Sequence, residues 1–147
     1  MMPASLVVGA AQFRASRSLD ENVQGIINHV ELAAERGVQL VAFAEAAVTG
    51  YFPDEIEATE GAALLRAEAK IAAACRRCSV AAVVGTPYVA PDGRRLNRYI
   101  VASPLSTARS LAVSLSVAPC SLARTYAGSV TAASVRLSQR DCHWRPR

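Results

Sequence analysis

Strand-length apolar runs alternate with helical patterns along the first 103 residues, and this alternation restricts the chain to few folds. "SLVVGAAQF" (5–13) and "VQLVAFA" (38–44) have the length and composition of strands, and a helical pattern lies between them. This order favours two parallel strands joined by a right-handed crossover. The sequence therefore predicts an α/β fold, with the second strand buried on both faces inside a parallel sheet.

The first helix carries its own start and stop signals. Ser18 and Glu21 form an S-x-x-E capping box, and Gly37 stands where a left-handed residue would end the helix. The later elements predicted by periodicity and turn signals are a helix over 60–78, a strand over 80–85 and two strands around the turn at 91–93.

The composition changes after Ser103. Residues 104–147 hold six arginines and one acid, a net charge of +5, whereas residues 1–103 carry −1. This second segment is rich in Ser, Ala, Leu and Arg and has no sustained period. We expect a boundary near residues 103 and 104 that separates 1–103 from an irregular, weakly structured tail over 104–147. The scattered arginines lack the interleaved aromatic residues of a nucleic-acid surface, so no nucleic-acid partner is expected.

Two of the four cysteines, Cys75 and Cys78, have the C-x-x-C spacing of metal and redox sites. No second ligand pair follows at zinc spacing, and both residues fall within the second predicted helix, one turn apart. The sequence therefore favours two helix residues over a metal site, and we expect neither a metal nor a cofactor.

No apolar run reaches the length of a membrane span, and no basic residues precede the apolar segment at the N terminus. We therefore expect a cytoplasmic protein without a membrane partner.

Glu45 directly follows the second apolar run, in "VAFAEAAVTGYFPDE" (41–55). Gly50 and Pro53 interrupt regular structure beyond it, so the segment is predicted to be a loop. A carboxylate at this place either faces solvent or is held at the strand end for a chemical purpose.

The segment "VQLVAFAEAAVTGYFPDE", with "VVGAAQF" before it and "VVGTPYVAPDGRRLNRYIV" after it, resembles the nitrilase, or carbon-nitrogen hydrolase, superfamily. The resemblance covers residues 5–102 in order, including Gln12, Asn22 and Asn97. It departs from the family pattern at Ala44, where the family usually has Pro. It implies an α-β-β-α sandwich, here truncated to its N-terminal half and followed by the irregular tail.

The family cleaves small amides or nitriles with a Glu, a Lys and a Cys, and its members usually associate through their helices. By this resemblance Glu45 is the general base, and Tyr51 and Phe52 help to shape the mouth of a substrate-binding pocket. A small amide or nitrile substrate and a possible homo-oligomer are implied in the same way.

The departures from the family concern its other two catalytic residues. The only lysine, Lys70, precedes the hairpin that the family lysine follows, and no cysteine has the family's nucleophile context; Cys120 is only loosely placed. We therefore expect an inactive chain, and the alternative, non-catalytic function is docking of its apolar helices on a full-length homologue. The tail is either a frameshift product or a divergent extension, and both readings stay open.

Overall fold

The computed structural model describes residues 5–104 and 130–135. In chain order its elements are β1 (Leu6–Ala11), α1 (Leu19–Glu35), β2 (Leu40–Phe43), α2 (Pro53–Ala58), α3 (Gly61–Cys78), β3 (Ala81–Val89), β4 (Arg95–Ala102) and β5 (Val130–Val135).

The strands form one sheet in the order β4-β3-β2-β1-β5. β1 pairs with β2 and β2 with β3 in parallel, whereas β4 pairs with β3 and β5 with β1 in antiparallel. The carboxyl ends of β1, β2 and β3 therefore meet at one edge of the sheet, which is where such sheets place ligand sites.

The core lies between this sheet and the helices α1 and α3. Ile26 and Val30 from α1 and Ile71 from α3 are fully buried, and they belong to the same apolar cluster as Val41 and Val84 from the sheet. Apolar residues at helical spacing thus meet apolar residues at strand spacing, as the sequence pattern predicts.

The predicted start of α1 is confirmed, but only one half of the predicted capping box forms, because the Ser18 amide donates to the Ser16 hydroxyl at 2.9 Å. The Ser18 hydroxyl accepts a hydrogen bond from the Glu21 amide at 3.3 Å, and this bond satisfies an amide that the first helical turn leaves without a partner. Gly37 has φ +69°, which is the left-handed conformation expected after the helix.

Two local predictions need correction. Pro53, which was predicted to interrupt regular structure, is the first residue of α2. Proline is tolerated at this position because the first amide of a helix has no hydrogen-bond partner within the helix. The predicted strand over 80–85 and the first hairpin strand are one continuous strand, β3, which carries Pro87 opposite Asn97 of β4.

The prediction that β2 is buried on both faces is wrong for the described residues. Val41 and Phe43 are buried, whereas Leu40 and Ala42 are partly exposed. Val83 of β3 and Val101 of β4 are likewise partly exposed between buried neighbours. The sheet therefore has one face packed against α1 and α3, and a second apolar face with partial exposure.

The segment after 103 contributes β5, which no periodicity signal predicts. Val130 pairs with Ala11 and Val135 with Leu6 at the edge of the sheet. No helix among residues 5–104 and 130–135 is long and apolar enough to span a bilayer.

Candidate active site

Glu45 lies in a tight turn that leaves β2 at the carboxyl edge of the sheet. Ala46 has φ +52°, and its carbonyl accepts hydrogen bonds from the Thr49 amide at 3.2 Å and the Gly50 amide at 2.8 Å. The left-handed residue reverses the chain immediately after the strand. The Glu45 side chain is therefore presented by backbone that is fixed on both sides.

Gly85 of β3 lies against this turn so closely that no side chain fits. A Cβ atom at position 85 would lie 2.5 Å from the Ala44 carbonyl oxygen, 2.7 Å from the Ala46 nitrogen and 2.7 Å from the Glu45 Cα. The Gly85 carbonyl also accepts a hydrogen bond from the Val48 amide at 3.3 Å. A glycine is required here because two backbone segments touch.

Asn97 of β4 donates a hydrogen bond from Nδ2 to Oε1 of Glu45, across 52 residues of sequence. The bond is partly buried, and it fixes the carboxylate against the strand that pairs with β3. Among the described residues only Asn97 bonds this carboxylate, and because a carboxylate accepts through two oxygens, Oε2 can accept from another donor.

Tyr99 lies two residues beyond Asn97, opposite Gly85 in the β3–β4 pairing. Burial, together with the negative charge of Glu45, raises the pKa of Tyr99. The phenol therefore stays protonated over a wider pH range than a free tyrosine.

A cavity of about 290 Å³ opens beside the Glu45 carboxylate. It is lined by Glu45, Ala46, Tyr51, Ile56, Pro87, Arg95, Leu96 and Asn97. The structure thus places Glu45 and Tyr51 at the same cavity, with Tyr51 54% exposed, and the substrate-binding role of Tyr51 stays a prediction. A cavity of this size accommodates a small molecule.

Phe52, the other residue predicted at the pocket mouth, is not among the lining residues of this cavity. The Arg17 guanidinium lies 4.8 Å from its ring centroid, and Arg17 also bonds Asp54 at 2.6 Å. A Cβ at Gly50 would lie 2.7 Å from the same ring. Phe52 therefore supports the loop beneath the site, and its substrate-binding role stays a prediction.

The remaining chemical candidates lie away from the cavity lining. Lys70 is on α3, exposed, and paired with Asp20 at 3.2 Å. Cys75 is fully buried in the core, and burial raises the pKa of its thiol to about 11. Cys78 follows one turn later on α3 and is partly buried, so both cysteines are helix residues as predicted. Within the described ranges, no three His, Cys, Asp or Glu side chains gather as metal ligands. Cys120 lies outside the described residues.

Sequence reasoning missed two features near the site. Arg95 was given no role, although it stands two residues before Asn97 and so lies on the same side of β4. Arg98 bonds Glu68 at 2.5 Å, and Thr86 donates to the same carboxylate oxygen at 3.3 Å, which forms a buried network between β3, β4 and α3. In the sequence, Glu68 is a single acid beside the apolar face of α3, and this pattern could have predicted a buried carboxylate with a polar partner.

The chain belongs to the carbon-nitrogen hydrolase family. The family model, described as carbon-nitrogen hydrolase, matches residues 7–111 and so includes the Glu45 turn and both strands that hold it. Comparison with curated proteins gives no match.

Solved structures give the fold. A double mutant of the amidase from Nesterenkonia sp. AN1, in complex with acrylamide, is 21% identical with a TM-score of 0.62, over 68% of this chain and 39% of that chain. A point mutant of the same amidase, assigned to the nitrilase superfamily, is 21% identical with a TM-score of 0.62, over 71% of this chain and 40% of that chain. A glutamine-dependent NAD(+) synthetase from Cytophaga hutchinsonii is 18% identical with a TM-score of 0.56, over 69% of this chain and 17% of that chain. The chain has the fold of nitrilase-superfamily amidases and spans about 40% of their length.

Proposed function

We propose that the cavity beside Glu45 is the general-base part of a carbon-nitrogen hydrolase site for small amides or nitriles. The observation that carries the proposal is the Glu45 carboxylate, held by Asn97 at the wall of a cavity of about 290 Å³. Membership in the family and the amidase fold support the same reaction class.

The chemistry of C–N hydrolysis gives Glu45 a defined task. A thiolate attacks the carbonyl or nitrile carbon, and the expelled amine of an amide needs a proton. A carboxylate can take the thiol proton and then deliver it to the leaving nitrogen. In a mutant of the Nesterenkonia sp. AN1 amidase, acrylamide has undergone Michael addition at the active-site cysteine, so the nucleophile of that protein is a thiol. By analogy, Glu45 would serve a thiol nucleophile through its free Oε2.

We infer that the 147-residue chain is inactive, because neither the lysine nor the cysteine of the family occurs in its expected context. The placement of the candidates supports this inference. Lys70 is engaged with Asp20 on the surface, and Cys75 is a buried thiol that is protonated at neutral pH. The proposal keeps the predicted cytoplasmic location, without nucleic-acid or membrane partners.

A hydrolysis assay tests the proposal on small amides and nitriles, such as acrylamide and acetonitrile. We expect ammonia release at the background rate from the wild-type chain. Turnover that is lost in Glu45→Gln but kept in Lys70→Ala would confirm the base and overturn the inferred inactivity. Turnover that survives Glu45→Gln would overturn the assignment of the base.

A second function, docking on a full-length homologue, is favoured by the second face of the sheet. Val83 and Val101 are apolar and partly exposed there, and apolar surface of this kind is usually covered by a partner. Size-exclusion chromatography with a full-length carbon-nitrogen hydrolase tests it. We expect co-elution that Val83→Glu abolishes and that Leu65→Glu, at an exposed position of α3, leaves intact. Loss of co-elution in Leu65→Glu alone would assign the contact to the helices instead. Separate elution of the two wild-type proteins would contradict docking, and the chain run alone reports its self-association.

A further inference from the structure

The last turn of α3 carries two thiols on the side of the helix that faces the core. Cys75 is fully buried within the apolar cluster. Cys78, the last residue of α3, packs against the same cluster and is partly exposed. Residues three apart on a helix are neighbours on its surface. The pair therefore joins a thiol that small molecules do not reach in the folded chain with a thiol that they can reach.

The helix brings the two cysteines to the separation that a disulfide needs. From the rise and radius of an α-helix, Cα atoms three residues apart lie about 5 Å from each other. Disulfide-bonded cysteines have Cα separations of about 4.4–6.8 Å. The two thiols also influence each other, because burial raises the pKa of Cys75 to about 11 and the nearby Cys78 adds to that increase. The backbone of α3 thus already has the spacing of a bonded pair.

Closing the bond requires a small movement, and the end of α3 is the place where the helix can yield. Cβ atoms three residues apart on a helix lie about 5–6 Å from each other, whereas a disulfide needs about 3.5–4.5 Å. Cys78 must therefore move by about 1–2 Å. It is followed by Ser79 in the left-handed conformation, with φ +54°, so no further helical turn holds it in place.

The same movement acts on the junction between α3 and β3. The Cys75 carbonyl accepts a hydrogen bond from the Val80 amide at 3.1 Å, and Val80 is buried. The next residue, Ala81, begins β3 and donates to the Gln39 carbonyl at 2.9 Å. A shift of Cys78 therefore reaches the first residues of an internal strand through consecutive hydrogen-bonded positions.

We propose that Cys75 and Cys78 form a reversible disulfide, which makes the junction between α3 and β3 sensitive to the thiol–disulfide balance around the protein. The oxidant is a small disulfide such as glutathione disulfide. Cys78 reacts first because it is the partly exposed thiol, and the regulated element is the end of α3 rather than the Glu45 cavity.

The reaction proceeds by two exchange steps. In the first, the Cys78 thiolate attacks one sulfur of glutathione disulfide, which forms a mixed disulfide and releases one glutathione thiolate. In the second, the Cys75 sulfur attacks the Cys78 sulfur and displaces the other glutathione, and the Cys75 proton ends on that departing thiolate. The two protein thiols together lose two electrons, and glutathione disulfide is reduced to two glutathione molecules.

Peptide mapping of the whole chain tests the bond without any substitution, because trypsin cleaves between the two cysteines, after Arg76 and Arg77. The chain is incubated with glutathione disulfide, its free thiols are alkylated in urea, and the digest is analysed by mass spectrometry. We expect the fragments with Cys75 and Cys78 to be linked, with the loss of two hydrogen atoms, and dithiothreitol to return both as alkylated thiols.

Two single variants check the order of the steps. Cys75→Ala should stop after the first step, so that the glutathione adduct on Cys78 accumulates. Cys78→Ala should leave Cys75 unmodified in the folded chain, because burial excludes the oxidant. A wild-type chain that keeps the adduct, retains both thiols free, or links them only to Cys120 or Cys142 would overturn the disulfide.

Amide hydrogen exchange, followed by ¹H–¹⁵N NMR, tests the effect on the junction. We expect the Val80 amide to exchange about fivefold faster in the oxidised than in the reduced protein, because its bond to the Cys75 carbonyl is loosened. The amide of Ile26, a buried residue of α1, is the internal control and should keep its rate. Equal Val80 rates in the two forms would overturn the coupling of the disulfide to β3.

Discussion

Replacing Gly85 with alanine tests the packing that holds the Glu45 turn. The new methyl carbon would lie 2.5 Å from the Ala44 carbonyl oxygen, and ordinary contact begins near 3.4 Å, so the turn or β3 must move by about 0.9 Å. Neither side can yield by rotating a side chain, because the contacted atoms are backbone. Overpacking of this kind costs about 1–3 kcal/mol of unfolding free energy.

Urea denaturation followed by far-UV circular dichroism measures this loss. With a urea dependence of about 2 kcal/mol per molar, the midpoint for Gly85→Ala should fall by about 0.5–1.5 M. Gly61→Ala is the matched control, since its methyl group would meet Val89 at an ordinary 3.7 Å at the start of α3. We expect its midpoint to be unchanged or slightly higher. A Gly85→Ala midpoint equal to that of the wild type would refute the close contact.

Three further predictions concern stability and the core. Glu68→Leu alone should lower the free energy of unfolding in urea by about 3–5 kcal/mol, because it leaves the Arg98 charge buried without its partner. The double variant Glu68→Leu with Arg98→Met should recover most of that loss. Equal losses in the single and double variants would contradict a coupled pair. Ser18→Ala should lower the free energy of unfolding by about 1 kcal/mol through loss of the helix cap, and an unchanged value would contradict the Ser18 bond to the Glu21 amide. The pKa of Cys75 is raised from 9.0 to about 11, so its contribution to stability is present below pH 9 and is lost as the pH rises through 11. Unfolding free energies measured from pH 8 to 11 should therefore fall more steeply in the wild type than in Cys75→Ala, and parallel profiles would argue against a buried thiol.

Local signals in the sequence account for much of the fold. The cap at Ser18, the turn at 91–93 and the apolar periodicity of α1 and α3 act over a few residues, and the structure places the elements where they indicate. The prediction at Pro53 was incomplete because the effect of proline depends on its position in a helix. Proline disrupts a helix from an interior position, but it is tolerated at the first residue. β5 could not be predicted because its pairing with β1 is set by long-range contacts.

The site was predictable only in part, for the same reason. The resemblance to the family located Glu45 and included Asn97, but it did not reveal that the two side chains touch across 52 residues. The fold places Arg95 at the cavity, because β4 pairs with β3 and Arg95 precedes Asn97 by two residues on that strand. Contacts of this kind depend on strand register, which single-sequence patterns specify weakly.

The Asn97 side-chain amide signal in ¹H–¹⁵N NMR spectra gives the most direct test of the Glu45 site. Asn28 is the internal control, because its side chain is exposed on α1 and accepts from Gln24 at 2.8 Å. On replacing Glu45 with Gln, we predict that the Asn97 Nδ2–H signals move upfield and exchange faster with water, while those of Asn28 stay in place. Asn97 signals that are the same in both proteins would contradict a carboxylate held by Asn97, and with it the proposed general base.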